Sequence, residues 1–106
     1  MSNLLMCQAA DENARQLYID DSDRSVYLDG AHSTLTEQEY LLLCELALHA
    51  GEPVSREELL RTAWGYQSPG DTRTVDVHIQ RLRRKIGFRM IDTIYRYGYR
   101  LKARRI

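Results

Sequence analysis

The chain has 106 residues, which suits one compact domain and leaves no length for a second full one. Apolar residues make up 43% of it and are spread along its length, which favours a globular domain over disorder. The formal net charge is zero, and no apolar run approaches the roughly 20 residues that span a bilayer. Two cysteines far apart and a start without signal-peptide features predict a reduced, cytoplasmic protein.

The zero net charge hides a strong segregation of charge along the chain. From Arg73 onward there are eleven Lys and Arg against two acids, Asp76 and Asp92, whereas the part before Arg73 holds four Arg against thirteen Asp and Glu. A uniform zero charge would argue against a nucleic-acid partner. The segregated charge predicts instead that the C-terminal part attracts a polyanion.

The first predicted elements are short strands. Residues 16–20 and 24–28 are joined by the polar break 21–23, and the turn signal Asp29-Gly30 leads to a third strand, 31–35. Together they predict a small antiparallel meander. Only the first and last few residues of the chain are expected to be loose.

Two helices follow, each opened by a capping box. Thr36 pairs with Glu39, and Ser55 pairs with Glu58, so that each hydroxyl and carboxylate can accept from a backbone amide at a helix start. The first helix is predicted to run to about His49, and the second is short.

A third helix is predicted from Thr72 to Ile86, where apolar residues recur at spacings of four, three and four. Beyond it, residues 90–95 and 98–101 are rich in Ile and Tyr and predict a closing hairpin. This order predicts an α+β fold, a winged helix-turn-helix with an N-terminal antiparallel sheet, three helices and a C-terminal β-hairpin wing. We expect a single domain with its core at about residues 15–102.

The polar faces of the third helix carry the residue types that a major-groove reader needs: Arg for guanine or phosphate, a hydroxyl for either, and a small apolar group for a thymine methyl. These residues are Arg73, Thr74, Val77, His78, Gln80, Arg81, Arg83, Arg84 and Lys85. A plain solvated basic face remains the alternative from charge alone.

Short motifs lie along the chain from about residue 17 to residue 101. They are Leu35-Thr36, Gln38-Glu39, Leu42-Leu43, Val54-Ser55-Arg56-Glu57, Leu59, Trp64-Gly65, Arg73-Thr74-Val75-Asp76-Val77-His78-Ile79, Arg81-Leu82-Arg83, Lys85 and Gly98-Tyr99-Arg100-Leu101. In this order they resemble the effector domain of OmpR/PhoB-type response regulators. The resemblance implies a four-stranded N-terminal sheet, a third helix in the major groove and a hairpin tip in the minor groove of duplex DNA.

The resemblance also implies roles for individual residues. Base contacts are implied for Thr74, Val77 and Arg81, and phosphate contacts for Arg73, His78 and Arg83. Gln80 stands where the family has Arg or another variable residue, so its contact is expected to be weaker or to report a different base. Trp64 matches a position that can touch phosphate through its indole N–H, and a buried core role is the alternative. Asp76 is expected to pair with a nearby Arg.

The predicted wing departs from the family pattern. The chain has Thr93-Ile94-Tyr95-Arg96-Tyr97-Gly98-Tyr99, in which the Arg and the first Gly of the pattern are displaced. The hairpin tip must therefore change its turn type or carry strain at Arg96. Arg96 is predicted to replace the missing wing Arg and to enter a narrow minor groove, and a solvated Arg is the alternative.

No cofactor, metal site or enzyme activity is predicted, because His32, His49 and His78 have no metal-ligand spacing with one another or with Cys.

The family resemblance implies that two copies bind DNA in tandem. The connector 64–71 matches a loop that in the family can touch RNA polymerase, and a plain connector between helices is the alternative. A receiver domain is expected to be absent from this chain, which is then a fragment or a stand-alone regulator. Membrane-anchored regulators share the fold, and a winged-helix protein-interaction module with weak or no DNA binding is the alternative function.

Overall fold

A computed structural model describes residues 4–9, 15–65 and 71–105. The strands and helices, in chain order, are β1 (Leu4–Ala9), β2 (Gln16–Asp20), β3 (Ser25–Leu28), β4 (Ala31–Thr34), α1 (Glu37–Leu48), β5 (Val54–Ser55), α2 (Arg56–Trp64), α3 (Arg73–Ile86), β6 (Ile91–Ile94), β7 (Gly98–Leu101) and β8 (Ala103–Arg105). This order confirms the predicted α+β winged helix. Among the described residues, no helix is both long and apolar enough to cross a membrane.

The predicted meander is confirmed, and it belongs to a larger antiparallel sheet with the order β4-β3-β2-β1-β8. The expectation that both chain ends are loose is wrong for β1 and β8. Cys7 and Ala103 are buried, and Arg104 Nη2 donates to Gln8 Oε1 at 2.8 Å. The sheet therefore has five strands rather than four, and the core reaches beyond residues 15–102 at both ends.

Both helix starts follow the predicted capping chemistry, with one difference. At α1 the box is complete, because Glu39 N–H donates to Thr36 Oγ1 at 3.2 Å and Thr36 N–H donates to Glu39 Oε1 at 2.9 Å. At α2, Glu58 N–H donates to Ser55 Oγ at 3.1 Å. The Glu58 carboxylate lies instead beside Arg61, so this second box is only half formed.

The core lies between the five-stranded sheet and the helices. The predicted apolar stripe of α3 is confirmed, since all four of its members are buried, together with three leucines of α1. Full burial of one such side chain contributes about 1.5–3 kcal/mol. The seven are Val75, Ile79, Leu82, Ile86, Leu42, Leu43 and Leu46.

The hairpin is anchored on the helical part by a third strand, β5, which sequence analysis did not predict. β7 pairs with β6 on one side and with β5 on the other, and Arg56 N–H donates to Tyr97 O at 3.1 Å. A Cβ atom at Gly98 would overlap the Val54 carbonyl oxygen. Gly98 is therefore needed because the two backbones approach closely, and this contact fixes the hairpin beside the start of α2.

Candidate nucleic-acid interface

The face of α3 opposite its buried stripe is exposed and basic. It spans an arc of about 100° at 3.6 residues per turn. Its members are Arg73, Val77, Gln80, Arg81 and Arg84, and we call them the outward face. Half of the Val77 surface is open, at 50% exposure. The outward face therefore offers three guanidinium groups, one amide and one small apolar side chain, which match the chemistry of base edges and phosphates in a groove.

The N-terminal end of the outward face carries a charge pair. Arg73 is 87% exposed, and its Nε lies 3.1 Å from Asp71 Oδ1, which also accepts from Arg73 N–H at 3.0 Å. The hydrogen bond from the Arg73 side chain lowers the pKa of Asp71. Asp71 thus caps the helix, since Thr72 makes no side-chain cap bond. Arg73 must share or leave this carboxylate to reach a phosphate.

His78 and Trp64 meet on one flank of the outward face. His78 Nδ1 lies 2.9 Å from Thr74 O, so Nδ1 is the donor and Nε2 is the second nitrogen left for another contact. The indole and imidazole rings meet edge to face with centroids 4.9 Å apart. Trp64 is half-buried and packs against the core, so the structure supports the core role for much of its ring.

Lys85 points towards the body of the domain. Its Nζ donates to Glu39 Oε1 at 2.6 Å and to Thr34 O at 3.0 Å. The Glu39 side chain is only 1% exposed. Burial alone would raise the pKa of this carboxyl, but the hydrogen bonds from Lys85 and from Thr36 N–H outweigh it, and the pKa is lowered. Lys85 therefore ties the end of α3 to α1 and β4.

Arg83 lies on the opposite flank and holds the hairpin. Its Nη2 donates to Ile91 O and to Thr93 Oγ1, each at 2.8 Å. The guanidinium carbon also lies 5.4 Å from the centroid of the Tyr99 ring, a cation–π distance. These contacts set the position of β6 and β7 relative to α3.

A second cluster on this flank joins α2, α3 and β7. Asp76 Oδ1 accepts from Arg56 Nε at 2.8 Å and from the Tyr99 hydroxyl at 2.6 Å. Burial, followed by the hydrogen bond to Asp76, raises the pKa of Tyr99. The expectation that Asp76 pairs with an Arg is confirmed. The part played by Tyr99 was not predicted, because only the folded hairpin brings it to α3.

The hairpin tip has the backbone strain that the sequence predicted. Arg96 has φ +57°, and Tyr97 N–H donates to Ile94 O at 2.9 Å to close the turn. Arg96 is exposed, and its guanidinium carbon lies 5.1 Å from the centroid of the Tyr95 ring, which is itself 80% exposed. The tip thus presents a cation beside an open aromatic ring.

The structure gathers part of the predicted site and separates the rest. Four predicted residues lie on the outward face, Thr74, His78 and Trp64 lie along one flank, and Arg96 lies at the hairpin tip. Arg83 and Lys85 instead have their cations engaged with protein oxygens. Arg84, named among the polar residues of the third helix but given no contact of its own, also lies on the outward face; its spacing of seven from Val77, about two helical turns, is the signal that could have assigned it one.

The five-stranded sheet, the three helices with a basic third helix, and the anchored hairpin together define a winged-helix domain. The chain belongs to the family described as "Transcriptional regulatory protein, C terminal", which matches residues 30–101. It is an effector domain of the OmpR/PhoB type, as the sequence motifs indicated.

Known proteins of this family resemble the chain in sequence and in structure. The transcriptional regulatory protein CseB of Streptomyces avermitilis is 47% identical over 83% of the chain and 37% of its own length. The Thermotoga maritima response regulator DrrB, an OmpR/PhoB homologue, superposes with a TM-score of 0.71 at 37% identity, over 81% of this chain and 41% of its own. The Klebsiella pneumoniae RstA DNA-binding domain in complex with the RstA box superposes at 0.69 and 36% identity, over 80% of this chain and 89% of its own. The chain thus spans little more than a third of the length of CseB.

Proposed function

We propose that this chain binds duplex DNA sequence-specifically, as the DNA-binding part of a transcription regulator, with α3 in the major groove and the hairpin tip at the minor groove. One observation carries the proposal: the outward face presents three arginines, an amide and an exposed valine on a single helix, and none of its five members is acidic. The RstA domain, which has been seen with its DNA box, supports it. A DNA-binding regulator acts where the chromosome is, so the expected cytoplasmic location belongs to this proposal.

The direct contacts are assigned by position on α3. Val77, Gln80 and Arg81 on the outward face, with Thr74 beside them, reach base edges. Arg73 and Arg84 at the two ends of the outward face reach phosphates. His78 reaches a phosphate through Nε2 as the imidazolium, because Nδ1 already donates to Thr74 O and Nε2 of the neutral ring can only accept. Trp64 adds its indole N–H where that atom is exposed.

In this proposal Arg83 and Lys85 do not contact DNA but hold other parts of the domain in place. Arg83 is held on the hairpin by Nε and Nη2, which bond Ile91 O and Thr93 Oγ1 and fix the direction of its guanidinium. Lys85 would leave the Glu39 carboxylate buried without its cation if it turned to a phosphate, a cost that a solvated arginine such as Arg84 does not have. We therefore assign them to holding the wing and the body of the domain against α3.

The test compares two arginines on one helix. After the preferred site has been found by selection from random duplexes, Arg81→Ala should cost about 1–3 kcal/mol on that site and flatten the preference at one position. Arg73→Ala should weaken preferred and random DNA alike and reduce the salt slope by about one.

Arg104→Ala is the matched control, because it removes the same charge from β8, where Arg104 bonds Gln8. It should leave the sequence preference unchanged. Equal losses on preferred and random DNA for Arg81→Ala would contradict its assignment to a base.

Two partners extend the proposal. Two copies are expected to bind in tandem on direct repeats, as the family resemblance implied. A contact with RNA polymerase would fall on the connector 64–71, of which residues 66–70 lie outside the described part of the chain.

A further inference from the structure

Three metal-ligating side chains converge on the side of the domain where α1 meets α2. Glu45 lies in the last turn of α1, His49 is the C-cap residue that follows it, and Glu58 comes from the first turn of α2. One ligand atom from each residue lies within 4.8 Å of the other two. We propose that Glu45, His49 and Glu58 form a Zn²⁺ site that joins α1 to α2.

The distances leave room for a tetrahedral transition-metal ion among the three side chains. Zinc bonds to imidazole nitrogen and carboxylate oxygen are about 2.0–2.2 Å long, so two ligands of a tetrahedral ion are about 3.4 Å apart. His49 Nε2 already lies 3.7 Å from Glu45 Oε2. Small side-chain rotations of the half-exposed His49 and Glu58 close the remaining gaps, and water fills the fourth position.

The donor set selects the kind of metal. Mg²⁺ and Ca²⁺ prefer six or more oxygen ligands, whereas an imidazole with two carboxylates suits Zn²⁺. The sequence predicted no metal site because its His residues have no metal-ligand spacing with one another or with Cys. The third ligand is brought in by the packing of α2 on α1, and no spacing along the chain shows that.

The electrostatics of the cluster favour a cation. The Glu45 side chain is 14% exposed, and burial, followed by hydrogen bonding to and repulsion from Glu58, raises the pKa of its carboxyl. The charge of His49 lowers the pKa of Glu45. On the exposed side of the cluster, Arg61 Nη2 lies 3.9 Å from Glu58 Oε1. A divalent ion would remove the repulsion between the two carboxylates.

Binding here would stabilise the folded domain without using the outward face. The ion would link two helices that support α3, and a ligand that binds only the folded state raises the free energy of unfolding. Thermal unfolding should therefore shift up by several degrees at saturating Zn²⁺ and hardly at all with Mg²⁺.

The test is calorimetric titration of ZnCl₂ into chelator-treated domain, repeated on variants. The wild type should bind one Zn²⁺ per chain, and His49→Ala and Glu58→Gln should each lose more than about tenfold in affinity. His32→Ala is the matched control, because His32 lies on β4 and its Nε2 contacts Ser25 Oγ. It should bind zinc as the wild type does.

The same titration of Cys44→Ser excludes a thiol ligand if its affinity is unchanged. Glu58→Gln keeps the Ser55 cap, which uses the backbone N–H of residue 58, so its fold is preserved. No binding by the wild type, or undiminished binding by His49→Ala, would overturn the proposed site. Neither result would affect the DNA-binding proposal, which rests on α3.

Discussion

Substituting Lys85 tests whether its ammonium stabilises the fold or contacts DNA. Lys85→Met keeps most of the side-chain length but removes the ammonium that bonds Glu39 at 2.6 Å. Breaking a buried ion pair costs about 3–5 kcal/mol, because the remaining charge stays buried. The Lys85 side chain is 33% exposed and Glu39 keeps Thr36 N–H as a donor, so water and the cap offset part of the loss. We expect a fall of about 2–3 kcal/mol in the free energy of unfolding.

Urea unfolding with linear extrapolation measures this loss, which corresponds to a Tm lower by roughly 10 °C or more. The matched control is Glu39→Gln, which keeps an acceptor for the capping box. In that background Lys85→Met should cost much less, because no buried charge is left unpaired.

The contribution of the Lys85–Glu39 pair to the free energy of unfolding depends on pH in a definite direction. The pKa of Glu39 is lowered in the folded state, so the pair stabilises above the unfolded pKa and its contribution is lost as pH falls through the folded value. The difference between the wild type and Lys85→Met should therefore be full at neutral pH and shrink on acidification. Unchanged stability combined with a salt slope on DNA reduced by about one would refute the argument and make Lys85 a phosphate contact.

Three further predictions concern the hairpin, the cluster at Asp76 and tandem binding. Arg96→Ala should lower DNA affinity most on sites with A/T-rich flanks. Arg96→Gly should lower the affinity in the same way and add up to about 1 kcal/mol to the free energy of unfolding, because glycine accepts φ +57°. Binding that is unchanged on either flank would leave the wing without a DNA role. Tyr99→Phe removes the 2.6 Å hydrogen bond to Asp76 and should cost about 1–2 kcal/mol in urea unfolding; full stability would show that the bond contributes nothing. Two copies should bind direct repeats about 10–11 base pairs apart; inserting five base pairs should abolish cooperativity, and indifference to the insertion would count against tandem binding.

Local sequence signals predicted the helices correctly, because these signals act within one or a few turns. The Thr36 and Glu39 pair set the start of α1 because a capping box acts over one turn, and the stripe ending at Ile86 predicted α3 because helical periodicity is local. β8 was missed because it pairs with β1 at the far end of the chain, as in Arg105 with Cys7. No window of sequence contains that contact.

The candidate interface also has features that local sequence predicted and features that depend on contacts between distant residues. Helical spacing places Val77 and Arg81 on the outward face, and the missing glycine predicted the positive φ at Arg96. Residue type alone could not tell a cation that faces solvent from one bound to protein oxygens. The family resemblance implied a phosphate contact for Arg83, and Lys85 was predicted as a DNA contact from the basic helix; the structure adds that their protein partners come from β6, α1 and β4.

Binding to duplex DNA as a function of salt tests the central claim most directly. The domain should be titrated with its selected duplex and with a random duplex over a range of salt concentrations. We predict that log affinity falls linearly with log salt on both, by about 0.9 for each phosphate neutralised, and that the selected duplex binds more tightly throughout. Weak binding that does not change with salt, and that is equal on both duplexes, would contradict DNA recognition by α3 and favour a protein-interaction module.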